Sequence, residues 1–166
     1  VLEMFEGVLE VKASSGDNRL GGKDFDQSLV RWLTERFEEK NQVSLKGDIF
    51  AESRLKTAAE QCKVELSAQE SAVVRVPVLA EKDGCPLGLE ETVTRELFES
   101  LIAGDLTRTR RPVNVALSDS GLHEGDLDMV LLAGGSTRIP AVRREIRGLL
   151  GIEPSAAIHP DYSIAE

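Results

Sequence analysis

The chain has 166 residues, 41% of them hydrophobic and 30% charged, with a net charge of −9. That length suits one good-sized domain or two small lobes, and that composition suits a water-soluble globule. The acidic balance argues against a nucleic-acid backbone as the main partner, no apolar run is long enough to span a membrane, and the two cysteines form neither a disulfide framework nor a metal cluster.

In chain order, Val1–Phe5 and Val8–Ser14 flank Glu6-Gly7, the pattern of a β-hairpin closed by a two-residue turn. Gly16-Asp17-Asn18 is turn chemistry. Gly21-Gly22 then precede a helix led by Asp24-Phe25-Asp26, with Leu29, Val30, Leu33 and Phe37 as its apolar stripe. The glycine pair reads as a plain loop or as a hinge between lobes. Asn41–Asp48 is a polar connector. A second helix is predicted from Ile49 to Leu66, with Leu55, Ala58, Ala59, Cys62 and Leu66 on one face. At about 100° per residue, Glu60, Lys63 and Ser67 share another face, and Val64 projects near Glu60. This second face is either solvated, with a stray valine, or it is a ligand face: an acid for ribose hydroxyls, a cation, a hydroxyl and an apolar patch for a base.

Ser71–Leu79 alternates as a strand, with Pro77 pointing to an edge position; Lys82-Asp83-Gly84 is a turn, and Leu87–Val93 a second strand. Thr94 is placed to cap a helix carrying Leu97, Phe98, Leu101 and Ile102 inside. Pro112 interrupts or restarts the helical pattern, which continues to Gly121. Cys62 is expected in the core and Cys85 at an exposed turn, and both suit a reducing cytoplasm.

Met129–Pro140 (MVLLAGGSTRIP) is the stretch around which the rest is arranged. Met129–Ala133 reads as a strand buried on both faces. Gly134 and Gly135 break it and let a ligand approach the backbone. Ser136 or Thr137 is placed to cap a helix, with Pro140 in its first turn and Gly151 as its stop. Strand, glycine turn and helix start together favour phosphate or another polarised ligand group, and Arg138 adds a flat cation that can pair with phosphate or stack on a base. Alone, the turn lacks the Lys-Ser/Thr ending of a P-loop and the third glycine of a dinucleotide fingerprint. His159-Pro160-Asp161 follows the last loop, with Asp161 a natural helix cap and His159 structural. The opening alternation without an initiator Met, and a close that looks like the first turn of an unfinished helix, give the expectation of a piece of a longer protein.

Three segments fall into register with one family. GDNRLGGKDFDQSLV at Gly16–Val30, RLKTAAEQCKVELS at Arg54–Ser67 and VLLAGGSTRIPAV at Val130–Val142 resemble the nucleotide-binding domain of the 70-kilodalton heat-shock chaperones, including the bacterial DnaK type. The closing HPDYSIAE at His159–Glu166 is similar to that family's Asn-Pro-Asp-Glu-Ala-Val-Ala segment. The segments occur in family order and the likeness covers essentially the whole chain. The Gly-Gly turn by itself is shared with actin and sugar kinases, but GGKDFD and the Glu60–Ser67 helix fit the chaperones better.

The resemblance implies an α/β fold, part of an actin-like ATPase, with a ribonuclease-H-like base and an outer subdomain of helices and a small sheet, α+β in character. Residues 1–22 would be strands of the inner part of the second lobe, 23–121 its outer subdomain, and 122–166 the return to the inner part. It implies an ATP/ADP site in which Glu60 and Lys63 face ribose and Ser67 the base edge. Val64 would stand where some eukaryotic members have Arg, leaving stacking to Arg138. Gly134, Gly135, Ser136 and Ile139 would complete the turn by ribose and α-phosphate, with Asp161 closing the pocket floor. Gly21 and Gly22 would flex as a hinge. His159, Tyr162 and Ser163 depart from the family pattern. The first lobe, both phosphate loops, the metal-positioning aspartate and the catalytic lysine are not in these residues, so no catalytic residue and no metal ligand is expected here. Mg²⁺, exchange-factor and J-domain co-chaperone partners, and unfolded peptide would belong to the whole cytoplasmic chaperone. A rival reading makes this piece a docking module for nucleotide-exchange factors, using the edges of the Ser71–Val93 hairpin and the helix at Asp24–Lys40.

Overall fold

The computed structural model describes residues 1–155. The fold mixes helices and strands in two compact units. One comprises residues 22–103; the other is made of residues 1–21 together with 104 onward.

Within residues 22–103, helix α1 (Gly22–Asn41) buries Phe25, Leu29, Val30, Leu33 and Phe37, the stripe that its sequence spacing predicts. Helix α2 (Ile49–Ala68) starts at Asp48, whose carboxylate accepts from the amides of Phe50 and Ala51 at 3.0 and 2.9 Å. This satisfies two of the donors that a helix start leaves open. The α2 core face is Ala51, Leu55, Ala59, Cys62 and Leu66. Burial pushes the Cys62 thiol up to about 12, assisted by the charge of Glu65. As expected, Cys62 is buried and Cys85 exposed.

Strands β3 (Ser71–Lys82) and β4 (Cys85–Thr94) form an antiparallel two-stranded sheet. Asp83 and Gly84 make the two-residue turn with φ of 54° and 79°, the mirror-image turn whose twist matches paired strands. Alternate residues Ala72, Val74, Val76, Leu89 and Val93 face the core. The pairing slips between Val76 and Ala80, where Pro77 cannot donate to the ladder. Here the backbone of β3 crowds Gly88: a Cβ on that residue would sit 2.6 Å from the Pro77 carbonyl oxygen and 2.9 Å from that of Val76. Gly88→Ala is therefore expected to destabilise this unit by about 1–3 kcal/mol, through overpacking against backbone that cannot rotate away. Chemical denaturation of the chain and of the variant checks this.

Helix α3 (Arg95–Arg108) begins in this unit and ends in the other. Thr94 Oγ1 accepts from the Leu97 amide at 3.2 Å, the cap its sequence position predicts. Phe98 and Ile102 are fully buried.

In the second unit, β1 (Leu2–Phe5) and β2 (Val8–Val11) pair through the Glu6-Gly7 turn, with φ of 49° and 80°. Lys12 ties the hairpin ends to Glu3 and Glu10 at 2.7 and 3.0 Å. Leu2, Met4, Phe5, Val8, Leu9 and Val11 are all exposed. Helix α4 (Arg110–Ser120) takes Pro112 in its first turn and stops at left-handed Gly121. There the amides of Gly121 and Leu122 donate to the Ser118 and Leu117 carbonyls, closing the helix end. Helix α5 (Pro140–Leu150) stops in the same left-handed way at Gly151, as predicted. Arg108 pairs with Asp17 at 2.9 Å, and Arg110 of α4 with Glu145 of α5 at 2.5 Å.

Two expectations are corrected. Met129–Ala133 is not a strand buried on both faces. Leu131 makes one parallel bridge, to Ser155, supported by the Ser155 amide donating to the Val130 carbonyl at 2.7 Å; Met129 and Leu131 are 58% and 48% exposed. A strand becomes central only with a neighbour on each side, and the described residues supply a single bridge. Nor do Ser136 and Thr137 cap α5. A short 3-10 turn, Gly135–Arg138, separates the glycines from the helix, so the residue before Pro140 is Ile139.

Candidate functional site

The residues singled out in the sequence fall into two sets, one in each compact unit. Glu60, Lys63, Val64 and Ser67 lie on α2; Gly134, Gly135, Ser136, Arg138 and Ile139 lie at the start of α5. Asp161 and His159 lie outside the described residues.

On α2 the four follow one another along the helix away from the core stripe. Glu60 is exposed, and Val64 is 63% exposed. The Ser67 hydroxyl donates to the Lys63 carbonyl at 3.1 Å. That bond consumes its proton and leaves its oxygen as an acceptor.

Lys63 is the most constrained of the set. Its ammonium donates to Asp26 Oδ2 of α1 at 2.8 Å and to the Gly22 carbonyl at 3.4 Å. Asp26 Oδ1 also lies 2.8 Å from the ammonium, but as an ion contact without hydrogen-bond geometry, and this buried oxygen has no hydrogen-bond partner. Both side chains are only 14% exposed. Burial raises the Asp26 carboxyl above the usual carboxylate range; the Lys63 charge opposes that shift and the charge of Glu60 adds to it.

Asp26 is the site residue that the sequence reading missed. The signal was present. Asp26 stands three, four and seven residues before Leu29, Val30 and Leu33, at the head of the core stripe. A carboxylate there calls for a cation on whatever packs against α1, and α2 packs there.

In the glycine turn, Gly134 takes φ 93° and ψ 152°, a conformation essentially reserved for glycine. Gly135 does not need positive φ. Thr137 is buried and donates from Oγ1 to the Gly134 carbonyl at 2.7 Å, while the Arg143 guanidinium donates to the Thr137 carbonyl at 3.2 Å. Together these bonds fix the turn. Ser136 is half-buried, Arg138 exposed and the Ile139 side chain 3% exposed, so Ile139 can meet a ligand only through its backbone. Among the described residues there is no cluster suited to holding a metal ion, and no helix long and apolar enough to cross a membrane.

The family model described as Hsp70 protein matches residues 1–166. Curated relatives named Chaperone protein DnaK include that of Trichormus variabilis, 47% identical over 99% of this chain and 24% of the relative's length. One from Thermus thermophilus is 47% identical over 99% of the chain and 27% of its own length. The Thermotoga petrophila protein is 43% identical over 99% and 28%. The chain thus spans about a quarter of the length of these relatives. With a match along its whole length and the α2 and glycine-turn segments in family order, the chain belongs to the Hsp70 chaperone family.

Proposed function

We propose that this chain supplies the adenosine-binding part of a chaperone ATPase domain of the actin-like fold, and not its hydrolytic part. The observation that carries the reading is the α2 face. An acid, a cation held in place by Asp26, an exposed valine and a serine with a free acceptor oxygen succeed one another along it. Glu60 and Lys63 then take the ribose hydroxyls, Val64 touches the base, and the Ser67 oxygen accepts from the exocyclic amine of adenine. We also assign Arg138 to stacking on the adenine, and the backbone of Gly134, Gly135, Ser136 and Ile139 to ribose and α-phosphate. Gly21 and Gly22 act as a hinge, which agrees with the chain passing from one compact unit to the other between them.

Hydrolysis requires Mg²⁺, γ-phosphate and water to be held in fixed relation, and among the described residues no cluster is suited to holding a metal ion. In the whole protein we assign ATP-regulated peptide binding in the cytoplasm, with exchange factors and J-domain co-chaperones as partners.

Calorimetric titration of the chain with Mg-ATP is expected to give binding weaker than about 10 μM, because most phosphate contacts are missing. Phosphate release should be nil, and Arg138→Ala should weaken binding about tenfold through lost stacking. Turnover by the pure chain, or indifference to Arg138, contradicts the reading.

A second role is compatible with the first. Within residues 22–103 the β3–β4 sheet has two strands, so each has one edge without a strand neighbour among the described residues. A nucleotide-exchange factor could dock on those edges and on α1. Capture of an exchange factor that survives Arg138→Ala would separate docking from nucleotide binding.

A further inference from the structure

Lys63 and Asp26 form a buried contact between α1 and α2 that the proposed site does not by itself require. An ammonium has three protons. Two are directed at Asp26 Oδ2 and the Gly22 carbonyl. The third is not committed to a hydrogen bond among the described residues, although Asp26 Oδ1 also lies 2.8 Å from the nitrogen. A lysine on a solvated helix face ordinarily wanders through many rotamers, and restraining it costs side-chain entropy. Here that restraint already exists before any ligand arrives. The Asp26 carboxylate supplies it from the neighbouring helix, at the cost of one buried oxygen without a hydrogen bond.

We propose that Asp26 is a positioning residue for nucleotide binding: it pins the Lys63 ammonium against the first turn of α1, so that one N–H is presented, pre-oriented, to a ribose hydroxyl. The inference rests on the nucleotide reading of α2 and deepens it. It names a residue that touches no ligand and acts only through Lys63.

The signature of this role is dependence on the sugar. A structural defect in α1 or α2 would weaken every adenine nucleotide alike. Loss of positioning should weaken only ligands that carry ribose hydroxyls. NMR titration of the 166-residue chain with ADP and with 2′,3′-dideoxy-ADP reads the ratio of the two dissociation constants. The unsubstituted chain should favour ADP. Asp26→Asn should lose about tenfold for ADP, the scale of a charge-assisted hydrogen bond, and leave dideoxy-ADP unchanged. Asp26→Glu keeps the charge but carries it one methylene farther, and should lower the ratio by a smaller factor. That variant decides the matter if Asp26→Asn does not fold. Equal losses for the two ligands, or an unchanged ratio in both variants, overturn the inference. ADP binding without ribose preference in the unsubstituted chain overturns it and leaves the nucleotide reading standing. Failure to bind either ligand removes both.

Discussion

Phe37→Ala should lower the stability of the 22–103 unit by about 3–5 kcal/mol. The Phe37 side chain is 0% exposed on the core face of α1. Truncation removes the transfer free energy of the ring and leaves a cavity that close-packed neighbours fill only in part. For a unit of this size the melting temperature should fall by about 12 °C or more. Phe50→Ala is the matched control. The same ring, 78% exposed in the first turn of α2, should cost less than about 0.5 kcal/mol. A Phe37 variant that melts with the parent chain would show that α1 does not pack as described.

Lys63→Met should be the second large effect, and it carries a pH signature. Removing one partner of a buried ion pair strands the other, at a cost of about 3 kcal/mol at neutral pH. The Asp26 carboxyl is already raised above its ordinary 3.8 by burial, with Lys63 holding it down. Without Lys63 it must rise further. A carboxyl raised in the folded state binds its proton more tightly there than in the unfolded chain. Its contribution is therefore fully present below the unfolded value and is lost as pH rises through the folded one. The deficit of Lys63→Met relative to the parent should be greatest at pH 7 and shrink as the pH falls toward 4. Urea midpoints measured for both chains across that range test it, and a deficit that does not change with pH would mean that Asp26 is solvated once Lys63 is gone.

What could be read from the sequence divides along the line between local and non-local causes. Both hairpin turns were legible: Asp83-Gly84 carries the chemistry that positive φ at both central positions selects, and Gly7 carries half of it between two alternating runs. The α1 and α2 stripes were legible for the same reason: helical spacing is a property of the segment itself. The glycine stops at Gly121 and Gly151 were equally local. Met129–Ala133 was not legible. An apolar run reports what a segment would gain from neighbours, not whether it has them, and here Leu131 meets only Ser155. The start of α5 failed differently: two candidate caps, Ser136 and Thr137, lie in a 3-10 turn that uses Thr137 to hold Gly134 instead. Of the candidate set, spacing put Glu60, Lys63 and Ser67 on one face but left open whether that face is solvated or meets a ligand. The part that spacing could not supply was Asp26, separated from Lys63 by 37 positions and joined to it only by the packing of α1 against α2.

The way the two units share the chain has a consequence for biosynthesis. Residues 22–103 are continuous, whereas their companion is assembled from segments on either side. As the polypeptide leaves the ribosome, the inserted unit can complete its core as soon as α3 has emerged. Residues 1–21 can join the rest of their unit only after residues 104 onward have been made. The divided unit therefore closes after the continuous one, and its early segment is open to misassociation for the time needed to translate the insert.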